Sequence, residues 1–157
     1  MKHFFAILFL SALAWGVDKP DGCKMLPTAR VQAILGMTRN VGMTKLTLPP
    51  KASFGGACTY VGAQNDGTII AIKFPTPTDA QTFFETLRES LKNQGLKLKP
   101  EDFGSETGFS FPSGMIALRS DLVIRGNVTA HPQPGQQAGL LNFALSKQLM
   151  IVAIKWL

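Results

Sequence analysis

Residues 57–93, ACTYVGAQNDGTIIAIKFPTPTDAQTFFETLRESLKN, predict the architecture of this chain. Runs rich in β-branched and aromatic residues at 57–61 and 68–74 predict two strands. Between them, the tripeptide Asn-Asp-Gly at 65–67 consists of residue types that tolerate the positive φ angles of a tight hairpin turn. The first half of this stretch therefore predicts an antiparallel β-hairpin.

The second half of the same stretch predicts an amphipathic helix at 78–93. Thr78 and Gln81 have the spacing of a capping box, in which each side chain accepts a hydrogen bond from a free backbone amide at the helix start. Gly95 follows as a residue that can end a helix. The apolar stripe of this helix comprises Ala80, Phe83, Phe84, Leu87 and Leu91. A helix of this kind is expected to pack on a sheet.

A shorter helix is predicted upstream, at 28–36. Thr28 can cap its first turn, and Gly36 can adopt the left-handed conformation that ends helices. The next stretch, 37–56, has no clear periodicity and is expected to be a long loop. Loops of that length are either functional or loosely ordered, and the sequence does not choose between these.

The C-terminal third contains two similar stretches, 117–124 and 144–151. Each has three polar residues between apolar ones, which predicts a β-hairpin with a tight turn. The final stretch, 140–157, also suits one apolar helix, so both structures remain open. Strands are favoured because three of its apolar residues are β-branched: Ile151, Val152 and Ile154. Polar and charged residues interrupt it, so a membrane span is not expected.

The N-terminus, residues 1–16 (MKHFFAILFLSALAWG), has the three parts of a cleavable export signal. A short basic start is followed by an apolar run at 4–10 and then by small residues. Cleavage after Gly16 or Ala14 fits the small-residue rule. We expect 1–16 to be removed and 17–157 to form a single α+β domain in the bacterial periplasm or outside the cell.

The chain has two cysteines, Cys23 and Cys58. Export to an oxidising compartment favours a disulfide between them. They are too far apart for a Cys-x-x-Cys redox pair.

The chain is basic, with 16 Lys and Arg against 10 Asp and Glu and a formal net charge of +6. Of these charged residues, removal of 1–16 takes away only Lys2. The basic residues are scattered, apart from a local group at Lys92, Lys97 and Lys99. This pattern is typical of a solvated basic surface, and export argues against nucleic acid as a partner.

A second pattern links the cysteines to a helix and a strand. The segment 23–36, CKMLPTARVQAILG, is followed after a variable stretch by Cys-Thr-Tyr at 58–60. It resembles a domain-of-unknown-function family of actinobacterial lipoproteins and other small exported bacterial proteins. The matching positions are Cys23, Leu26, Thr28, Leu35, Gly36, Cys58 and Tyr60. The resemblance implies a disulfide from helix start to strand and an antiparallel α+β domain. It implies no activity, and the chain has no lipoprotein box before Cys23.

Residues suited to catalysis or metal binding are few. His131, which is followed by Pro132 and Pro134, is the single histidine of 17–157. One histidine with two paired cysteines cannot build a zinc site. Glu101, Asp102 and Glu106 cluster near aromatic residues, an arrangement that can suit carbohydrate binding or hydrolysis and otherwise describes solvated loop carboxylates. We assign no catalytic, cofactor-binding or metal-binding residue, and we expect no enzyme and no cofactor.

These observations predict an α+β domain with a mostly antiparallel sheet, two helices packed on one face and a Cys23–Cys58 disulfide. The leading functional hypothesis is an exported, non-catalytic binding, accessory or sensor module whose partner is an envelope protein or polymer. One alternative is an enzyme that acts on an envelope polymer through its loop carboxylates. The other is a module that binds an anionic lipid surface.

Overall fold

The computed structural model describes residues 22–36, 39–42, 46–135 and 139–157. The predicted signal at 1–16 lies outside them. After a 3₁₀ helix, Gly22–Lys24, the described elements in chain order are α1 (Thr28–Leu35), β1 (Arg39–Gly42), β2 (Phe54–Val61), β3 (Asn65–Lys73), α2 (Pro77–Asn93), β4 (Lys99–Pro100), β5 (Thr107–Phe111), β6 (Gly114–Arg119), β7 (Leu122–Ala130) and α3 (Phe143–Trp156).

The strands form one antiparallel sheet in the order β1-β2-β3-β7-β6-β5-β4. Two meanders build it, β1-β2-β3 and β4-β5-β6-β7, and helix α2 connects the end of the first to the outer edge of the second. Strands β3 and β7 join the meanders over nine residue pairs, from Asn65↔Ala130 to Lys73↔Leu122. The predicted antiparallel α+β architecture is confirmed.

Within the described residues the α-helices number three instead of two, and they cover both faces of the sheet. Neighbouring residues of a strand point to opposite faces. Ile116 of β6 packs in the cluster that contains Phe84 of α2, whereas Ala117 packs in the cluster that contains Val31 of α1 and Leu149 of α3. The expectation that the two predicted helices share one face is therefore wrong, since α1 and α2 lie on opposite sides.

The predicted turn at 65–67 is also wrong, because these residues begin β3. The connection between β2 and β3 is 62–64, closed by a hydrogen bond from the amide of Gly62 to the carbonyl of Asn65. Gly67 does not form a turn, and its lack of a side chain serves the packing of the helices on the sheet. A Cβ there would lie 2.9 Å from Cδ1 of Leu35 and 3.1 Å from Cδ2 of Leu149. The missing side chain lets α1 and α3 approach the sheet.

Of the two similar C-terminal stretches, one is a hairpin and the other is a helix. Strands β6 and β7 are joined by a tight turn at Ser120 and Asp121, with Ser120 at φ 52°. The stretch 144–151 lies within α3, so the favoured prediction of strands at 140–157 is wrong.

The predicted loop at 37–56 holds regular structure. Residues 37–38 and 43–45 lie outside the described residues, but β1 pairs with β2 from Arg39↔Val61 to Gly42↔Cys58, and β2 already begins at Phe54. Glycine-rich composition hid these strands, because Gly supplies no β-propensity signal.

A disulfide joins Cys23 in the 3₁₀ helix to Cys58 in β2, with a Cα–Cα distance of 4.7 Å. Both cysteines are buried in the hydrophobic cluster that contains Val31 of α1 and Leu149 of α3. The bond ties the N-terminal helical segment to the sheet at the position that the sequence indicates.

Candidate functional site

The three loop carboxylates do not form a shared site, because each has its own partner. Glu101 pairs with Nζ of Lys147 at 2.9 Å and accepts a hydrogen bond from the Ser110 hydroxyl. Asp102 accepts from the backbone amide of Gly104, and Glu106 from that of Ser120. These contacts fix turns and tie β4 to α3. They account for all three carboxylates as structural groups.

The aromatic residues beside these carboxylates are buried. Phe103 and Phe109 pack inside the two core clusters, so their rings offer no surface on which a sugar could stack. Within the described ranges, no group of three Cys, His, Asp or Glu side chains could hold a metal ion.

His131 is a linking residue at the end of β7. Its Nε2 lies 2.9 Å from Oδ1 of Asp66, and its backbone amide donates to the carbonyl of Gln64. The first contact joins the residue after β7 to the start of β3, and the second joins it to the β2–β3 connection. The interpretation of His131 as a loop residue agrees with this placement.

The surface with the most distinctive chemistry is formed by α3 and the segment before it, which the sheet holds in place. Strand β6 pairs with β7 only as far as Gly126. Beyond that point the segment 140–142 takes its place: the amide of Ala130 donates to the carbonyl of Leu140, and the amide of Asn142 donates to the carbonyl of Val128. The side chain of Asn142 then caps α3 by accepting from the amide of Leu145.

Two further features hold α3 close to the sheet. Ser146 is fully buried, where its hydroxyl accepts from the amide of Val128 at 2.8 Å and donates to the carbonyl of Asn142 at 2.7 Å. Gly126 lies below the helix, and a Cβ there would lie 2.7 Å from Sδ of Met150. The helix therefore sits in a defined position, with its outer side facing solvent.

That outer side carries large apolar residues and lysines. Phe143, Ile151 and Trp156 are 42%, 45% and 52% exposed, and Leu140 just before the helix is 67% exposed. The residues from 122 to the end of the sequence include no Asp or Glu. We call the following residues the α3 surface: Lys97, Lys99, Leu140, Phe143, Lys147, Ile151 and Lys155. Trp156 is not among them, because five residues after Ile151 a helix has turned by about 140° to a different flank.

A cleft belongs to this surface where α3 begins beside the β4–β5 edge. It has a volume of about 220 Å³. Its lining comprises Lys97, Lys99, Ser110, Phe111, Pro112, Leu141 and Phe143. Two lysines and two aromatic rings thus face the same small space. A broader depression of about 690 Å³ along α2 is lined by polar residues of that helix alone, which makes it open helix surface instead of a site.

The lysines of the α3 surface differ in their pairing. Lys147 pairs with Glu101, whose side chain is only 12% exposed. Within the described part of the chain, no carboxylate lies within 4.0 Å of the amino groups of Lys97, Lys99 or Lys155. These three cations are available to an external anion.

Helix α2 provides the contrast. Its outer side has no exposed large apolar residue, and its charges are paired as Glu85–Arg88 and Glu89–Lys92. The hydrogen bond from Lys92 lowers the pKa of Glu89. Such a surface is typical of a helix that faces water. Lys92 therefore does not belong with Lys97 and Lys99, although the three are close in sequence.

Comparison with protein-family models, with curated proteins and with solved structures gives no match. The resemblance to the actinobacterial lipoprotein family therefore stays a hypothesis. Among the described helices, none is long and apolar enough to cross a membrane.

Sequence reasoning assigned the cysteines correctly and missed the α3 surface. It grouped Lys97 and Lys99 with Lys92 as a solvated basic surface, and it favoured strands for the segment that forms α3. One usable signal was present: the absence of acidic residues after Asp121, combined with Asn142 as a helix cap.

Proposed function

We propose that this chain is an exported, non-catalytic envelope protein that binds its partner through the α3 surface. The observation that carries the proposal is the contrast between the two long helices. The outer side of α3 exposes Phe143 and Ile151 on either side of Lys147, whereas α2 exposes paired charges. Apolar residues that stay exposed together on a small domain are a common mark of a binding site.

Export is supported by the composition of residues 1–16 and by the buried disulfide, since disulfides persist mainly in oxidising compartments. A non-catalytic role is supported by the separate structural contacts of Glu101, Asp102 and Glu106, which leave no pair of carboxylates facing a common space. The protein would act as a binding or accessory module that presents one side to the envelope.

Crosslinking in the native envelope tests the proposal. We would replace Phe143 and Ile151 together by serine, and in a control variant Val41 and Phe54, two exposed apolar residues on β1 and β2. The wild type and the V41S/F54S control should crosslink to envelope material, and F143S/I151S should lose most of that product. Equal crosslinking of all three proteins, with unchanged circular dichroism, would rule out α3 as the binding surface.

A further inference from the structure

We infer that the α3 surface docks on an anionic lipid bilayer, with its lysines at the headgroup phosphates and its apolar side chains in the interface. This inference rests on the proposed function and names the partner. Three observations carry it: the residue types exposed on α3, the excess of unpaired cations and the small size of the cleft.

The apolar residues are of the types that partition into a membrane interface. Phe favours the boundary between headgroups and acyl chains, and Ile and Leu add apolar area. On α3 these positions are Phe143 and Ile151, with Leu140 immediately before the helix. Lys147 lies between Phe143 and Ile151 on the same side of the helix, and Lys155 follows about one turn after Ile151.

The charge of the surface matches an anionic bilayer better than a protein partner. It has four lysines, and the one carboxylate that pairs with any of them within the described residues is Glu101. Lysine is depleted in protein–protein interfaces, where desolvation of the ammonium group is costly. At an anionic bilayer lysines stay hydrated, and each strengthens binding about fivefold.

The cleft has the size for one headgroup and not for a larger ligand. Pockets for drug-sized molecules measure roughly 300–1,000 Å³, and this cleft measures about 220 Å³. Lys97, Lys99 and Phe143 all line this cleft. A lipid phosphate can therefore contact the lysines while the aromatic ring lies against the glycerol and upper acyl chain.

The helix is already in place for docking. The backbone amide of Asn142 donates to the carbonyl of Val128 in β7, and the Ser146 hydroxyl accepts from the amide of Val128, so both attachments are made to the sheet. Binding therefore requires no folding step, and the protein docks as a rigid body.

Co-sedimentation with vesicles tests the inference on the exported, disulfide-bonded protein. We expect binding to vesicles of phosphatidylcholine mixed with phosphatidylglycerol, and little binding to phosphatidylcholine alone. Raising the salt until the Debye length falls from about 10 Å to about 3 Å should weaken binding strongly.

Matched variants separate the surface from overall charge. Lys97→Gln with Lys99→Gln should weaken binding roughly 25-fold, at about fivefold for each lysine. Lys51→Gln with Lys92→Gln makes the same change in net charge at lysines that pair with Asp79 and Glu89. This control should bind nearly as well as the wild type. Equal loss in both variants would show attraction by net charge alone and would overturn the inference.

The test also distinguishes the inference from the proposed function on which it rests. If vesicles fail to bind, or bind equally well without phosphatidylglycerol, the lipid inference is wrong. If F143S/I151S nevertheless loses its envelope crosslink, the proposed binding function stands with a protein or polymer as partner. If neither assay depends on Phe143 and Ile151, both proposals are wrong.

Discussion

At the scale of single residues, two glycines show how a composition signal can mislead. Gly67 follows Asn and Asp, the usual setting of a tight turn, yet it lies within β3. Gly126 lies in β7 beneath α3. A Cβ at Gly67 would lie 2.9 Å from Cδ1 of Leu35, and one at Gly126 would lie 2.7 Å from Sδ of Met150, so a side chain at either position would force the helix residues above it to shift. Close approach and turn formation select the same residue type.

The disulfide provides the first prediction at this scale. Closing a loop with a sequence separation of 35 residues removes unfolded-chain entropy worth about 4 kcal/mol. Domains of this size have total stabilities of about 5–15 kcal/mol. Cys58→Ser should therefore lower the thermal midpoint clearly, as measured by circular dichroism, and the free thiol of Cys23 should allow dimers to form.

The control is the double variant C23S/C58S, which can form neither the disulfide nor the disulfide-linked dimer. A reducing agent should lower the midpoint of the wild type and leave that of the double variant unchanged. Alkylation of both cysteines in the native exported protein would contradict the pairing.

At the scale of elements, the helix termini decide which residues matter. Helix α2 begins at Pro77, one residue before the predicted helix 78–93. Its cap is Thr76, whose hydroxyl accepts from the amide of Asp79, and Pro77 occupies the first turn. The same hydroxyl donates to the carboxylate of Asp79. The capping pair is therefore Thr76 with Asp79, instead of Thr78 with Gln81.

Paired substitutions test this assignment. Thr76→Ala should destabilise the protein by about 0.5–2 kcal/mol, because it removes the cap. Thr78→Ala should change stability little, because the Thr78 side chain lies exposed within the first turn. Urea unfolding of both variants distinguishes them, and a larger loss for Thr78→Ala would restore the sequence-based cap.

The same cap makes stability depend on pH. The hydrogen bond from Thr76 and then the contacts of Lys51 lower the pKa of Asp79 from its ordinary value of 3.8. A carboxyl whose pKa is lowered on folding adds stability above its unfolded pKa, and this is lost as pH falls through the folded value. Thr76→Ala should therefore reduce the acid sensitivity of the thermal midpoint below pH 3.8.

At the scale of the whole molecule, the sheet separates two different surfaces. Helix α2 covers one face and exposes paired charges, while α3 covers the other and exposes apolar residues and lysines. A domain with one water-facing helix and one apolar, cationic helix has a defined orientation toward a partner.

Export is the prediction that belongs to the whole chain. The basic start, apolar run and small residues of 1–16 should direct secretion and cleavage. Mass spectrometry of the protein expressed in a bacterial host should find a mature N-terminus at Trp15 or Val17. Recovery of cytoplasmic protein that retains Met1 would refute export.

By itself the sequence determined the features that depend on local chemistry. The hairpin at β6–β7, the strand character of residues 57–61 and 68–73, helix α2 and the pairing of Cys23 with Cys58 follow from propensity, turn residues and cysteine count. Each needs only residues close in the chain, or a chemistry with one possible partner.

Only the tertiary structure decided what depends on contacts between distant segments. Residues 143–156 form a helix because the preceding segment, 140–142, pairs with β7 where β6 has ended. The amide of Val128 in β7 also donates to the Ser146 hydroxyl of the helix. That packing outweighs the β-propensity of Ile151 and Val152. It also places Phe143 beside Lys97 and Lys99, residues more than 40 positions away in the sequence. No local sequence pattern indicates that these residues are close. Their proximity arises only when the β4-β5-β6-β7 meander has formed and α3 has packed on it.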